Sequence, residues 1–316
     1  MCTGIRFNSK NNEMYFGRNL DWTMGYGQKV VITPREFSYP SAFLGDQSPQ
    51  YGAIIGMAIV EDDTPLYFDC ANEAGLAIAG LNFPGYSAYE EYAVDGKTNV
   101  AAYEFPLWVT MNFSSVNEVE EALKNTAIVA KPINDKFPVS ELHYLIGDRE
   151  RSIVVEYTKN GMEIHHNDTD ILTNQPGFGW HMENLRNYMN LSPKRPADVK
   201  WEKTKLIPLG SGSMMRGIPG DYYSPSRFVR VAYLNNHYPV KDNEDENVSR
   251  LFHTLTGVAM IDGGALMDET NYEKTIYTGG YSTASKTYYY STYENPAIVH
   301  VSLGDYDLDK ADLITV

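Results

Sequence analysis

The sequence predicts an α+β layered domain. Three features carry that expectation: short β-rich runs separated by turn residues fill positions 1–83, helical patterns occupy the middle, and β-branched and aromatic runs return near the end.

The first runs, 3–7, 14–22, 29–33, 52–60, 66–70 and 76–83, read as strands of a mainly antiparallel sheet. Asn11-Asn12 and Asn72-Glu73-Ala74-Gly75 supply turns between neighbours, because Asn and Gly tolerate positive φ. Helical pattern follows over 103–113, with Pro106 near its first turn. Ser115-Val116-Asn117-Glu118 then forms a capping box that opens 116–124. Residues 142–146 and 152–157 read as a hairpin across Gly147-Asp148-Arg149-Glu150, and 182–189, 227–235 and 248–258 carry apolar residues three or four apart, as helices do. The last strands are expected at 273–278, 287–292 and 297–302, separated by Gly279-Gly280 and Glu294-Asn295-Pro296.

With 316 residues, 43% of them hydrophobic, the chain can bury a large core. Its 16 prolines and 25 glycines are dispersed and no stretch reads as a linker, so residues 1–316 are expected to form one domain. No repeat of 20 to 50 residues is evident, which argues against a solenoid or propeller.

The start, Met1-Cys2-Thr3-Gly4-Ile5-Arg6, has no secretory pattern, and no stretch reaches 18 apolar residues, so a soluble cytoplasmic protein is expected. A net charge of -15 disfavours nucleic acid and anionic membranes as partners. An anionic small molecule would need local basic groups and apolar contact. The two cysteines, Cys2 and Cys70, form no disulfide framework, and Cys70 reads as a buried structural thiol.

Removal of Met1, favoured before a small residue, would leave Cys2 first in the chain, with thiol and base on one residue. An α-amine of pKa about 7.7–8.0 can take the proton of a thiol of about 8.5 directly or through one water. On position alone, a small buried residue near a strand end is the competing reading. In Tyr15-Phe16-Gly17-Arg18-Asn19-Leu20-Asp21-Trp22, strand alternation sends Arg18 to one face and Asn19 and Asp21 to the other. An arginine beside a thiol favours thiolate, and a carboxylate beside an α-amine orients its protons, although a surface ion pair would use the same residues. His165-His166 lacks a third ligand at useful spacing, so no metal is expected. The segments Gly210-Ser211-Gly212-Ser213 and Gly217-Ile218-Pro219-Gly220 lack the ending of a phosphate loop.

Five ordered blocks, Met1-Cys2-Thr3, Phe16 to Trp22, Asn72-Glu73 through Gly80-Leu81-Asn82-Phe83, Leu172-Thr173-Asn174-Gln175-Pro176, and Gly217 through Ser224-Pro225-Ser226-Arg227-Phe228, span most of the chain. Together they resemble the choloylglycine hydrolase family, N-terminal nucleophile enzymes that include bile salt hydrolases and penicillin V acylases. The resemblance implies a four-layer αββα sandwich, no cofactor, and a homotetramer.

It also implies site roles. Cys2 would attack an amide carbonyl, Asp21 would bind the new α-amine, and Arg18 would stabilise the thiolate. Asn82 and Asn174 would polarise the carbonyl, and the Arg227 guanidinium would reach the Cys2 pocket. Without the resemblance, Asn174 reads as a loop cap and Arg227 as a surface arginine. Conjugated bile salts, with glycine or taurine amides, are the implied substrates, and Asn82 favours them over penicillin V, whose acylases more often carry tyrosine there. Leu20, Trp22, Met24 and Tyr26 could line the apolar groove such a sterol needs, or could equally be core. By resemblance, Tyr103, Phe105 and the loop 128–137 join them. A noncatalytic bile salt binder is the rival class.

Overall fold

The computed structural model describes residues 1–316. Two antiparallel sheets stack face to face. One has six strands in the order Ile171–Leu172, Cys2–Asn8, Met14–Trp22, Lys274–Ser282, Thr287–Thr292 and Val299–Ser302. The other has eight: Gly161–His166, Ser152–Thr158, Leu142–Gly147, Ala77–Asn82, Thr64–Asn72, Ile54–Glu61, Lys29–Thr33 and Ile314–Thr315. Helices Ser224–His237 and Glu244–Thr256 cover the outer face of the first sheet, and Phe105–Asn112 packs on the outer face of the second. The result is an αββα sandwich.

Both faces of the strands are therefore buried, which explains runs such as Ala53-Ile54-Ile55-Gly56-Met57-Ala58 that are apolar throughout rather than alternating. Alternation still sorts the side chains. Leu81, Leu145 and Val154 join the core shared with the six-stranded sheet, whereas Ile78, Tyr144, Ile146 and Val155 join the core under Leu107, Trp108 and Met111. Each such side chain contributes about 1.5–3 kcal/mol on burial.

The turns use the foreseen residues: Asn12 sits at φ 60 and Gly75 at φ 98. Ser115 caps Val116–Leu123 by accepting from the Glu118 N–H. The remaining helix was foreseen at 182–189 but begins earlier, at Phe178–Leu185, and continues as a 3-10 turn, Arg186–Tyr188.

Gly279-Gly280 is a correction. These residues do not separate strands but lie inside Lys274–Ser282, opposite Arg18 and Gly17. A Cβ on Gly17 would come within 2.5 Å of the Gly279 carbonyl oxygen and 3.0 Å of Leu251, so the glycines let strand and helix approach closely. The strand Gly161–His166 was also unforeseen, and His165 and His166 are paired within it rather than facing a common site.

Candidate active site

The strands Cys2–Asn8 and Met14–Trp22 pair with Cys2 opposite Leu20 and Gly4 opposite Arg18. Residues opposite one another share a face, so Cys2, Arg18 and Leu20 point into the space between the sheets. Thr3, Asn19 and Asp21 point toward the helices. Arg18 Nη2 donates to the Cys2 sulfur at 2.7 Å, and Nη1 donates to the carbonyls of Phe68 at 3.0 Å and Gly80 at 2.7 Å. The guanidinium is fully buried. Burial works against its charge, but the Cys2 sulfur, Tyr277, Asp69 and Asp21 outweigh it, and Arg18 is more firmly protonated than an ordinary arginine.

Asp21 lies below this pair. Its Oδ1 accepts from the Thr275 hydroxyl at 2.6 Å, while Oδ2 is buried with no hydrogen-bond partner. Burial raises its carboxyl above the usual range, opposed by Arg227, the N-terminal amine, Thr275 and Arg18. Met1 is attached, and its amine donates to the Asp21 carbonyl at 2.7 Å and to Glu273 at 2.8 Å.

Asn174 and Arg227 close the site from the helix side. Pro225 occupies the first turn of Ser224–His237, setting the helix start so that Arg227 faces the strand. There Arg227 donates to the Cys2 carbonyl at 2.5 Å, Thr3 Oγ1 at 2.6 Å and Asn174 Oδ1 at 2.6 Å. A cation at a helix N-terminus is electrostatically unfavourable, and Asp21 supplies the compensating charge. Asn174 Oδ1 also accepts from the Cys2 N–H at 2.8 Å, and its Nδ2 donates to the Asn82 carbonyl at 2.7 Å. The five other candidate polar residues, Arg18, Asp21, Asn82, Asn174 and Arg227, thus gather around Cys2.

A cavity of about 410 Å³ opens over the sulfur, within the roughly 300–1,000 Å³ of typical small-molecule sites. Cys2, Arg18, Asp21 and Asn82 lie at its base, and Leu20, Trp22 and Tyr26 line it with Tyr103, Pro132, Ile133 and Phe137. Two expected lining residues do not reach it. Met24 lies past the strand end and is 64% exposed. Phe105 is turned into the outer core, its ring 4.6 Å from that of Tyr144 and 5.9 Å from that of Trp108. Ile59, Leu66 and Phe68 line the cavity without having been singled out, although the two-residue spacing of Leu66 and Phe68 on one strand was a signal for the pair.

Residues 2–316 match the family model for linear amide C–N hydrolases, choloylglycine hydrolase family. The chain is 52% identical over 316 residues to a bile salt hydrolase/transferase of Bifidobacterium longum subsp. longum, covering 100% of this chain and 99% of the relative. It is 44% identical to a conjugated bile acid hydrolase of Lactobacillus acidophilus over the full length of both. The crystal structure of the C2A mutant of conjugated bile acid hydrolase from Clostridium perfringens superposes with a TM-score of 0.93 at 38% identity, covering 100% of this chain and 96% of that one. With Cys2 opening the first strand, a guanidinium on its sulfur and the family match over nearly every residue, the chain belongs to the choloylglycine hydrolase family of linear amide C–N hydrolases.

Proposed function

We propose that the protein hydrolyses the amide bond of glycine- and taurine-conjugated bile salts, with Cys2 as nucleophile. The observation that carries this reading is the buried Arg18 guanidinium 2.7 Å from the Cys2 sulfur, at the base of a mainly apolar cavity. The relatives named above as bile salt and bile acid hydrolases supply the substrate class.

Loss of Met1 frees the Cys2 amine beside Asn174 Oδ1, and the buried carboxylate oxygen of Asp21 that has no other partner accepts from it, orienting it as the base. The amine takes the thiol proton, and the sulfur attacks the amide carbon. Asn82 and the second N–H of Asn174 donate to the developing oxyanion, with Arg18 stabilising negative charge on sulfur before attack. The ammonium then protonates the leaving glycine or taurine nitrogen, leaving a thioester. Water, activated by the same amine, releases the bile acid, while an amine nucleophile in its place would give acyl transfer; the B. longum relative is named a hydrolase/transferase. The sterol contributes binding through Leu20, Trp22, Tyr26 and the opposing loop.

The same reading takes residues 1–316 as one domain, because both large sheets contribute to a single inner core. It also takes the enzyme as a cytoplasmic homotetramer. The exposed apolar side chains of Val199, Trp201 and Leu206 on the hairpin formed by Val199–Trp201 and Thr204–Leu206 support assembly, and no helix is long and apolar enough to cross a membrane. Light scattering after gel filtration tests the oligomer. Incubation of Met1-cleaved protein with glycocholate and taurocholate, with assay for free glycine and taurine, tests the activity.

A further inference from the structure

The chemistry above needs the Asn174 amide held against Cys2 while charge develops, yet Asn174 sits on a loop after the two-residue strand Ile171–Leu172. Two buried imidazoles grip that loop. His143 Nε2 lies 3.0 Å from the Thr173 carbonyl oxygen, and His181 Nε2 lies 2.9 Å from the Asn174 carbonyl oxygen. Both rings are fully buried.

The His143 arrangement is the more unusual. Its Nδ1 faces Glu156 Oε1 at 3.1 Å, so both ring nitrogens meet groups that accept. The ring therefore donates twice and forms an ion pair with a carboxylate that is itself buried. Burial works to raise the Glu156 carboxyl, but His143, His165 and the Phe178 N–H outweigh it and hold it down at about 2. Glu156 in turn reaches the far side of the loop. Its Oε1 accepts from the Phe178 N–H at 2.9 Å, and Gly177 passes so close that a Cβ there would lie 3.1 Å from Oε2.

His143 also touches the other oxyanion segment. The Phe83 ring, next to Asn82, stacks on the imidazole with centroids 4.1 Å apart and planes 9° from parallel. In the sheet, Leu142 is paired with Asn82. One buried ion pair thus contacts the segment that carries Asn82 and the segment that carries Asn174.

We propose that His143 and Glu156 are positioning residues, which hold the Thr173 carbonyl and the Phe83 ring so that the Asn174 and Asn82 amides meet the oxyanion formed at Cys2. The pair touches neither the sulfur nor the cavity and acts through the loop. A charge-assisted hydrogen bond to the Thr173 carbonyl is stiffer than a neutral one, and a displacement of about 1 Å at a reacting group costs up to about 100-fold in rate.

The inference rests on the proposed role of Asn174, and the test separates the two. Removing one member of a buried ion pair strands the other, so the informative change is the paired replacement His143→Gln with Glu156→Gln, beside Glu156→Gln alone. Each is made in the wild-type and Asn174→Ala backgrounds. Glycocholate turnover is measured together with the rate of Cys2 alkylation by iodoacetamide, a reaction that needs no oxyanion donor.

The expected result is a fall in kcat of about 10- to 100-fold with KM within about threefold and Cys2 alkylation within about twofold of wild type. In the Asn174→Ala background the further loss should be smaller than in the wild-type background, because one of the two amides that the pair positions is already gone. Equal losses in both backgrounds, a fall in alkylation of the same size, undiminished kcat, or failure of both variants to fold would each overturn the inference. Undiminished kcat in Asn174→Ala alone would instead overturn the role of Asn174, and the inference with it.

Discussion

Arg18 donates to the Cys2 sulfur across a strand pair in which Arg18 is opposite Gly4 and Cys2 is opposite Leu20. The contact is a diagonal on one face of the sheet, and a Cβ on Gly4 beside it would come within 3.1 Å of Leu145 and 3.7 Å of Leu81 in the facing sheet. Arg18 also ties the two sheets together, because its other amino group serves the Phe68 and Gly80 carbonyls of the facing sheet.

Replacing Arg18 therefore has two effects. Arg18→Met should lower kcat for glycocholate by about 100-fold, the scale of losing one preorganised charge-stabilising donor. It should also cost about 1–3 kcal/mol for each carbonyl left without a donor, read from urea unfolding. Full activity in a stably folded variant would contradict the role given to Arg18.

Phe105 and Phe68 separate core from cavity. Phe105→Ala removes a fully buried ring packed on Tyr144 and Trp108, and should cost about 3–5 kcal/mol of stability with KM for glycocholate within about twofold. Phe68→Ala, on the cavity wall, should raise KM by about 10-fold, the value of one apolar contact of 1–2 kcal/mol. The opposite assignment of effects, seen in steady-state kinetics and thermal melts, would show that the cavity lining is wrongly drawn.

Acid should destabilise the fold through two buried groups. Burial pushes His181 from an ordinary 6.5 down to about 4, and Glu156 is held at about 2 against an ordinary 4.5. In each case the unfolded chain takes up its proton at higher pH than the folded one, so stability falls as pH falls. The His181 contribution is complete above pH 6.5 and is lost between 6.5 and 4; that of Glu156 is complete above 4.5 and is lost between 4.5 and 2. The Tm of the wild type should thus fall relative to that of His181→Gln as pH is lowered from 6.5 to 4. A constant difference in Tm between wild type and His181→Gln over that interval would contradict this.

Much of this site was legible because it is local. The alternation in Tyr15 to Trp22 separates Arg18 from Asp21, and pairing the first two strands brings Arg18 to Cys2 without further information. Gly279-Gly280 misled because glycine marks both turns and close approaches, and only the position of Leu251 decides between them. Phe105 and Pro106 are neighbours on one helix, and which of the two faces the cavity depends on how that helix is rotated on the sheet. The contacts of His143 with Glu156 and Thr173 span 13 and 30 residues, and no periodicity within one element relates them. The blocks resembling the choloylglycine hydrolases carried Asn82, Asn174 and Arg227, which composition and pattern alone would have left as loop and surface residues.

Cys2, once freed of Met1, is proposed to cleave conjugated bile salts. The most direct measurement is release of glycine and taurine from glycocholate and taurocholate by wild type and Cys2→Ser, each shown by mass spectrometry to have lost Met1, with penicillin V in parallel. Wild type should release both amino acids and turn over little penicillin V, and the variant should lose at least about 1,000-fold in rate. Correctly processed wild type that releases neither amino acid, or a Cys2→Ser protein as active as wild type, would contradict it.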